Sequence, residues 1–96
     1  MTRTDVLDTV RPLAPELKRL GIEKLFLFGS VAREEADAKD VDLLYEASPG
    51  SIDFFELMDA MERLETALGK PVDLVRRDLL HPRIRPRVEA DLIEIY

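Results

Sequence analysis

Three apolar runs of strand length, EKLFLF (23–28), DVDLLYE (40–46) and PVDLV (71–75), alternate with segments of helical period. That alternation restricts the chain to a sheet covered by helices. Before the first run, Val6, Val10, Leu13, Leu17 and Leu20 predict an amphipathic helix over 4–20, which Pro12 and Pro15 kink or divide and Gly21 ends. SVAREEAD (30–37) reads as a short helix with Ser30 as its N-cap, and Ser51 caps a longer one over 52–68, stopped by Gly69. In that helix Phe54, Leu57, Met58, Met61, Leu64 and Leu68 form one stripe; Phe54, Phe55, Met58 and Met61 are assigned to the core, as are Phe26 and Phe28. Pro71 stands at the start of its strand, where a missing donor is tolerated. Residues 78–90 predict one or two helical turns around Pro82 and Pro86, and 92–96 either a last strand or a helix end. The expected fold class is α/β (α+β): a single domain, 1–96, with a short mixed sheet and helices mainly on one face. The other face, or one end of it, is left for chemistry.

Charge and composition narrow that chemistry. The net charge of −6 argues against general affinity for nucleic acid or an anionic membrane. It is uneven: 9 Lys/Arg stand against 16 Asp/Glu over 1–75, and 5 against 4 over 76–96. Arg76, Arg77, Arg83, Arg85 and Arg87 therefore form a local basic segment, either a solvated face or a rim for an acidic partner or a triphosphate. The chain has no cysteine, which removes thiolate catalysis, disulfides and Cys-type zinc sites. Its one histidine, His81, precedes Pro82 and reads as a turn residue, so any metal must be held by oxygen. No run approaches membrane-spanning length and the N-terminus lacks a signal-peptide core; the expectation is a cytoplasmic protein.

The acids are the chemical core of the reading. Alternation along a strand puts Asp40 and Asp42 on one face while Val41 takes the other. Two like charges so close are screened by solvent, relieved by protonation or a nearby Lys39, or bridged by a hard cation. Asp73 lies inside another apolar strand, where an acid without a partner is costly; if the strands are neighbours in register, it joins the pair. Three carboxylates on adjacent strands suit two magnesium ions. Upstream, Gly29 follows a strand and Ser30 opens a helix, an arrangement that serves either as a plain connection or as a phosphate cradle. Arg33 falls in the first helical turn, where the dipole disfavours a cation. Its compensation is either Glu34 or Glu35, or a bound phosphate, or the Asp40/Asp42 pair.

LFGSVAR, DVDLLYE and KPVDLV together resemble the minimal nucleotidyltransferase (MNT) family of the DNA polymerase β superfamily. The pattern is G-S-x-x-R, then D-x-D, then a third Asp on a later strand. The resemblance implies that Gly29 and Ser30 bind the triphosphate of a nucleotide and that Arg33 supports that turn or the phosphates. It implies that Asp40 and Asp42 ligate two Mg2+ ions, and that Asp73 completes the first metal site and helps deprotonate the acceptor hydroxyl. Stand-alone MNT proteins are similar to antitoxins paired with a HEPN-domain toxin, in which ATP is the donor and a toxin tyrosine the acceptor. Two positions depart from the family: Glu34 where a glycine often follows the motif arginine, and Lys39 where a serine usually precedes the first aspartate.

The expected function is a Mg2+-dependent transfer of AMP from ATP to a hydroxyl, a tyrosine, of a partner HEPN toxin. The alternatives are an antitoxin that neutralises by binding, with the basic segment at the interface, and a small-molecule nucleotidyltransferase, which the absence of a second domain disfavours.

Overall fold

A computed structural model describes residues 1–96. Helix α1 (Arg3–Val10) opens with a capping box in which the Thr2 hydroxyl accepts from the Asp5 N–H (3.1 Å) and the Asp5 carboxylate from the Thr2 N–H (2.9 Å). The expected helix over 4–20 is divided as its prolines require: a 3₁₀ turn (Arg11–Leu13) separates α1 from α2 (Ala14–Arg19). Then follow β1 (Lys24–Phe28), α3 (Gly29–Ala32), β2 (Val41–Glu46), α4 (Phe54–Leu68), β3 (Val72–Arg76), a second 3₁₀ turn (Arg77–Leu79), α5 (Arg85–Asp91) and β4 (Ile93–Glu94).

The strand order is β3-β2-β1-β4. Strand β1 runs antiparallel to β2 and β4, and β3 runs parallel to β2 after the α4 crossover, so the sheet is mixed. Of residues 92–96, Ile93 and Glu94 thus form an edge strand, and the Ile95 N–H on the Leu25 carbonyl at 2.8 Å holds the segment further.

One sheet face, presenting Leu25, Leu27, Val41, Leu43, Tyr45 and Val72, packs on α1, α2 and α4 through a cluster of 17 buried side chains. The opposite face carries Phe26, Phe28, Asp42, Leu44, Asp73 and Val75, as the register dictates. Only its middle is covered: Val88 of α5 and Leu80 pack on Leu44, with Phe26 and Phe28 half-buried at the margin of this smaller cluster. The two phenylalanines therefore flank a second, partial core.

Two expectations for α4 are corrected. Its N-cap is Asp53, not Ser51, because Asp53 has Glu56 three residues on and the two close a capping box (2.7 and 3.0 Å). The helix consequently starts at Phe54 rather than 52. Phe54 and Phe55 are 66% and 79% exposed, and Met58 is also exposed, so these three are not core. The buried stripe is Ala60, Leu64 and Leu68, with Leu57 packed at its edge. The first turn carries its aromatics past the apolar layer, where the two rings meet edge to face at 5.7 Å.

Candidate active site

The parallel register sets Asp42 directly beside Asp73, and the antiparallel one sets Phe28, the last residue before Gly29, on the other side of Asp42. A single row across the sheet therefore runs from the glycine turn through one acid to the next. Asp40 precedes β2 by one residue and is exposed, as is Asp73, whereas Asp42 is half-buried. Burial raises the Asp42 carboxyl above the ordinary carboxylate range, and the like charges of Asp73 and then Asp40 raise it further, against a smaller opposing effect of Arg33. The three acids share this corner, but no three carboxylates close on a common point at metal-holding distance.

Gly29 has φ +77°, and a Cβ there would collide with the Asp42 carboxylate. Glycine is required on both counts, and its absence of side chain is what lets the turn sit against the acid. Helix α3 is a single turn, Gly29–Ala32, so the expected helix over 30–37 is not formed and Ser30 is not its N-cap. The cap position is Phe28, which caps with no side chain, leaving the Ser30 hydroxyl uncommitted to capping. Ser30, Asp40 and Asp42 line one cleft of about 350 Å³, closed on its far side by the loop Glu35–Lys39.

The reason α3 stops lies in Glu34. The Glu34 N–H reaches the Val31 carbonyl (3.0 Å) and the Glu35 N–H the Ser30 carbonyl (2.9 Å), the two bonds of a Schellman ending. That motif places Glu34 at φ +59°, the only non-glycine residue in the left-handed region. The position where the resemblance expects glycine is thus the one whose backbone favours it.

Arg33 ends this turn rather than beginning a helix. It pairs with Glu35 at 2.8 Å and with Asp91 of α5 at 2.5 Å, and both carboxylates raise its already high pKa. Of the alternatives for its compensation, the surface one holds through Glu35, and a second partner is Asp91, whose side chain is only 17% exposed. Asp91 was invisible in sequence because it lies 58 positions away, and as one of four acids in 76–96 it carries no signal of its own. Arg3, also missed, donates from Nε to the Ala32 carbonyl at 3.0 Å and closes the turn from α1. Lys70 holds the loop by donating to the Ala38 carbonyl at 3.2 Å.

The basic segment is elsewhere. Arg76, Arg77 and Arg85 line a separate cleft of about 480 Å³ with Glu46, Asp78 and Glu89, at the opposite end of β2. They do not rim the aspartates. Arg76 pairs with Asp78 and Arg77 with Glu46, each at 2.8 Å. His81 is a turn residue as expected, its Nδ1 accepting the Arg83 N–H at 3.1 Å.

A mixed sheet with helices on both sides, a glycine turn after the first strand and acids on the next two strands define a nucleotidyltransferase. The chain belongs to the family described as "Polymerase beta, Nucleotidyltransferase", whose profile matches residues 13–96. It is 36% identical over 81 residues to the protein adenylyltransferase MntA of Thermococcus cleftensis, covering 81% of this chain and 79% of that one. A solved structure of a candidate minimal nucleotidyltransferase superposes with TM-score 0.71 at 34% identity, covering 91% of this chain and 93% of the other. The same fold recurs, with TM-score 0.66 at 20% identity, in a complex of a tri-AMPylated Shewanella oneidensis HEPN toxin with its MNT antitoxin, covering 100% of this chain and 72% of that one. No helix is long and apolar enough to cross a membrane.

Proposed function

We propose that this nucleotidyltransferase moves AMP from ATP onto a tyrosine hydroxyl of a HEPN-domain toxin and so acts as its antitoxin. The observation that carries the reading is the pairing of Asp42 with Asp73 in register, with Asp40 one strand repeat away and the glycine turn seated on Asp42. The donor set suits a hard divalent cation: it is all carboxylate oxygen, and the crowding that raises Asp42 is what such a cation relieves. Asp40 and Asp42 would hold two Mg2+ ions and Asp73 would complete the first site. Bound there, the ions supply charge stabilisation to the attacking and leaving oxygens.

The remaining roles belong to the chain itself. The Gly29–Ser30 turn binds the triphosphate with backbone N–H groups and the serine hydroxyl. Arg33 keeps that turn in place through its ion pairs. Asp73, exposed on the outer of the two strands, accepts the proton of the attacking hydroxyl. The hydroxyl oxygen then bonds to the α phosphorus as the α–β bridging bond breaks, and pyrophosphate departs with that electron pair. The HEPN partner is supported by the likeness to MntA in sequence and to an MNT–HEPN complex in fold. A cytoplasmic setting accords with a cysteine-free chain that uses ATP.

The test mixes the chain with the product of a neighbouring HEPN gene, ATP and Mg2+, and weighs the partner by intact-mass spectrometry. The expected result is a partner carrying one or more adenylyl groups, mapped by peptide sequencing to tyrosine. An unmodified partner that is nevertheless inhibited would establish the binding-only antitoxin instead.

A further inference from the structure

The cleft beside the acidic corner has one cation in its wall, Lys39. The resemblance looks to Arg33 for positive charge near the phosphates, but its guanidinium is engaged by two carboxylates, one of them largely buried. Those pairs neutralise its charge locally and hold its Nε and one Nη, so it is the less available cation. Lys39 is in the opposite condition. It is exposed and takes no part in any ion pair, although Asp37, Asp40 and Glu35 lie on its own loop. Lys24, Arg63, Arg76 and Arg77 hold a carboxylate and Arg3, Arg11, Lys70 and Arg85 a backbone carbonyl, while Arg83 and Arg87, also without an ion pair, do not line this cleft. The loop presenting Lys39 is anchored from both sides, by Arg33 to Asp91 and by Lys70 to the Ala38 carbonyl. Its position is therefore held while its ammonium is uncommitted.

Electrostatics states what such a cation is for. A nucleoside triphosphate and three aspartates carry more negative charge than two divalent cations neutralise, so the nucleotide reading of this cleft, on which the inference rests, leaves an anionic excess. A lysine acts on phosphate as a flexible point charge, without the fixed fork an arginine needs. Ser30 lines the same cleft.

We propose that Lys39 is a catalytic residue that contacts the β and γ phosphates of the bound triphosphate. When the α–β bridging bond breaks, charge grows on the departing pyrophosphate, and the Lys39 ammonium offsets it without giving up a proton. Lys39, where the resemblance expects serine, is then a phosphate contact rather than a surface variation.

The experiment measures equilibrium binding of a non-hydrolysable ATP analogue and of AMP, each with Mg2+, to the wild-type chain and to Lys39→Ala, Lys39→Arg and Arg83→Ala. Lys39→Ala is expected to weaken the triphosphate roughly tenfold or more, the loss of one charge-assisted contact, while AMP affinity and Tm stay unchanged. Lys39→Arg keeps triphosphate affinity within about threefold, because the charge remains. Arg83→Ala, exposed in the basic tail, leaves both affinities at the wild-type level. Triphosphate affinity equal to wild type in Lys39→Ala overturns the proposal. So does an equal loss for triphosphate and AMP, or an equal loss in Arg83→Ala, which would reduce the effect to net charge. Wild-type AMP transfer, followed in parallel, separates this outcome from the function itself. Failure of transfer with intact triphosphate selectivity refutes the acceptor and spares Lys39; normal transfer with an indifferent Lys39→Ala does the reverse.

Discussion

The two ends of β2 present charge on the same sheet face and treat it in opposite ways. At its far end Glu46 meets Arg77, which also lies over the Phe26 ring at 5.4 Å, and neighbouring Arg76 meets Asp78. Every one of these charges has an opposite partner. At its near end Asp42 meets Asp73 across the strands and Asp40 just before its own, with only the smaller effect of Arg33 in opposition. The near end also holds the one left-handed non-glycine residue, Glu34, and a glycine pressed against a carboxylate. Charge that serves the fold is compensated within the fold; charge and strain left standing at one corner mark where a ligand completes the structure.

The contrast is broken most directly at Asp42. Asp42→Asn is expected to lower kcat/KM for AMP transfer by roughly 10²–10³-fold, the range for losing one charge-stabilising group, while the fold persists. The same variant tests the electrostatics without catalysis. Because the folded-state pKa of Asp42 is raised, its contribution to stability is fully present below the unfolded-state value and is lost as pH rises through the folded one. Without Mg2+, Asp42→Asn should therefore melt above wild type at pH 7, and the difference should vanish as pH falls below the ordinary aspartate range. Mg2+ should raise the wild-type Tm more than that of the variant. A variant that transfers normally, or that gains nothing at neutral pH, would show the corner to be as compensated as the far end.

Gly29→Ala introduces a Cβ into the Asp42 carboxylate at a left-handed backbone position. The expected cost is about 1–3 kcal/mol of stability, read by urea denaturation, with loss of triphosphate binding. A neutral result would mean the turn is not seated on the acid. Glu34→Gly should work the other way. It relieves a left-handed strain of about 1–2 kcal/mol, part of which returns as unfolded-chain entropy, for a net gain of about 0.5–1 kcal/mol. A loss of stability would mean the Glu34 side chain has a role that its exposure conceals. The smallest effect belongs to the far end: Arg77→Ala removes a half-exposed ion pair, should cost no more than about 1 kcal/mol, and should leave transfer untouched. Transfer lost in Arg77→Ala would join the two ends into one functional surface.

Much of this arrangement was legible because it is local. The division of the first helix follows from Pro12 and Pro15, and the edges of the three strands from their turns. The face that Asp42 and Asp73 share follows from strand alternation within each run, whereas Asp40 lies one residue before the strand. The misreadings were also local, but depended on competition between neighbours. Ser51 and Asp53 were both able to cap, and Glu56 decided for Asp53. Phe54, Phe55 and Met58 fit a helical stripe, yet a stripe is core only as far as there is sheet beneath it, and these three lie beyond it. Ser30 looked like a cap because it opens a segment read as helical, whereas the left-handed Gly29 had already started the turn.

By itself, then, the sequence determined the types and order of the elements and the face each acid takes, since side-chain period and capping chemistry act within a few residues. Tertiary structure alone decided that Asp42 pairs with Asp73 rather than with a neighbour one register away, that Gly29 lies against Asp42, and that Asp91 holds Arg33. Each of these joins segments far apart in the chain, and such contacts are set by how whole faces bury their apolar residues together, an outcome no short window of sequence encodes.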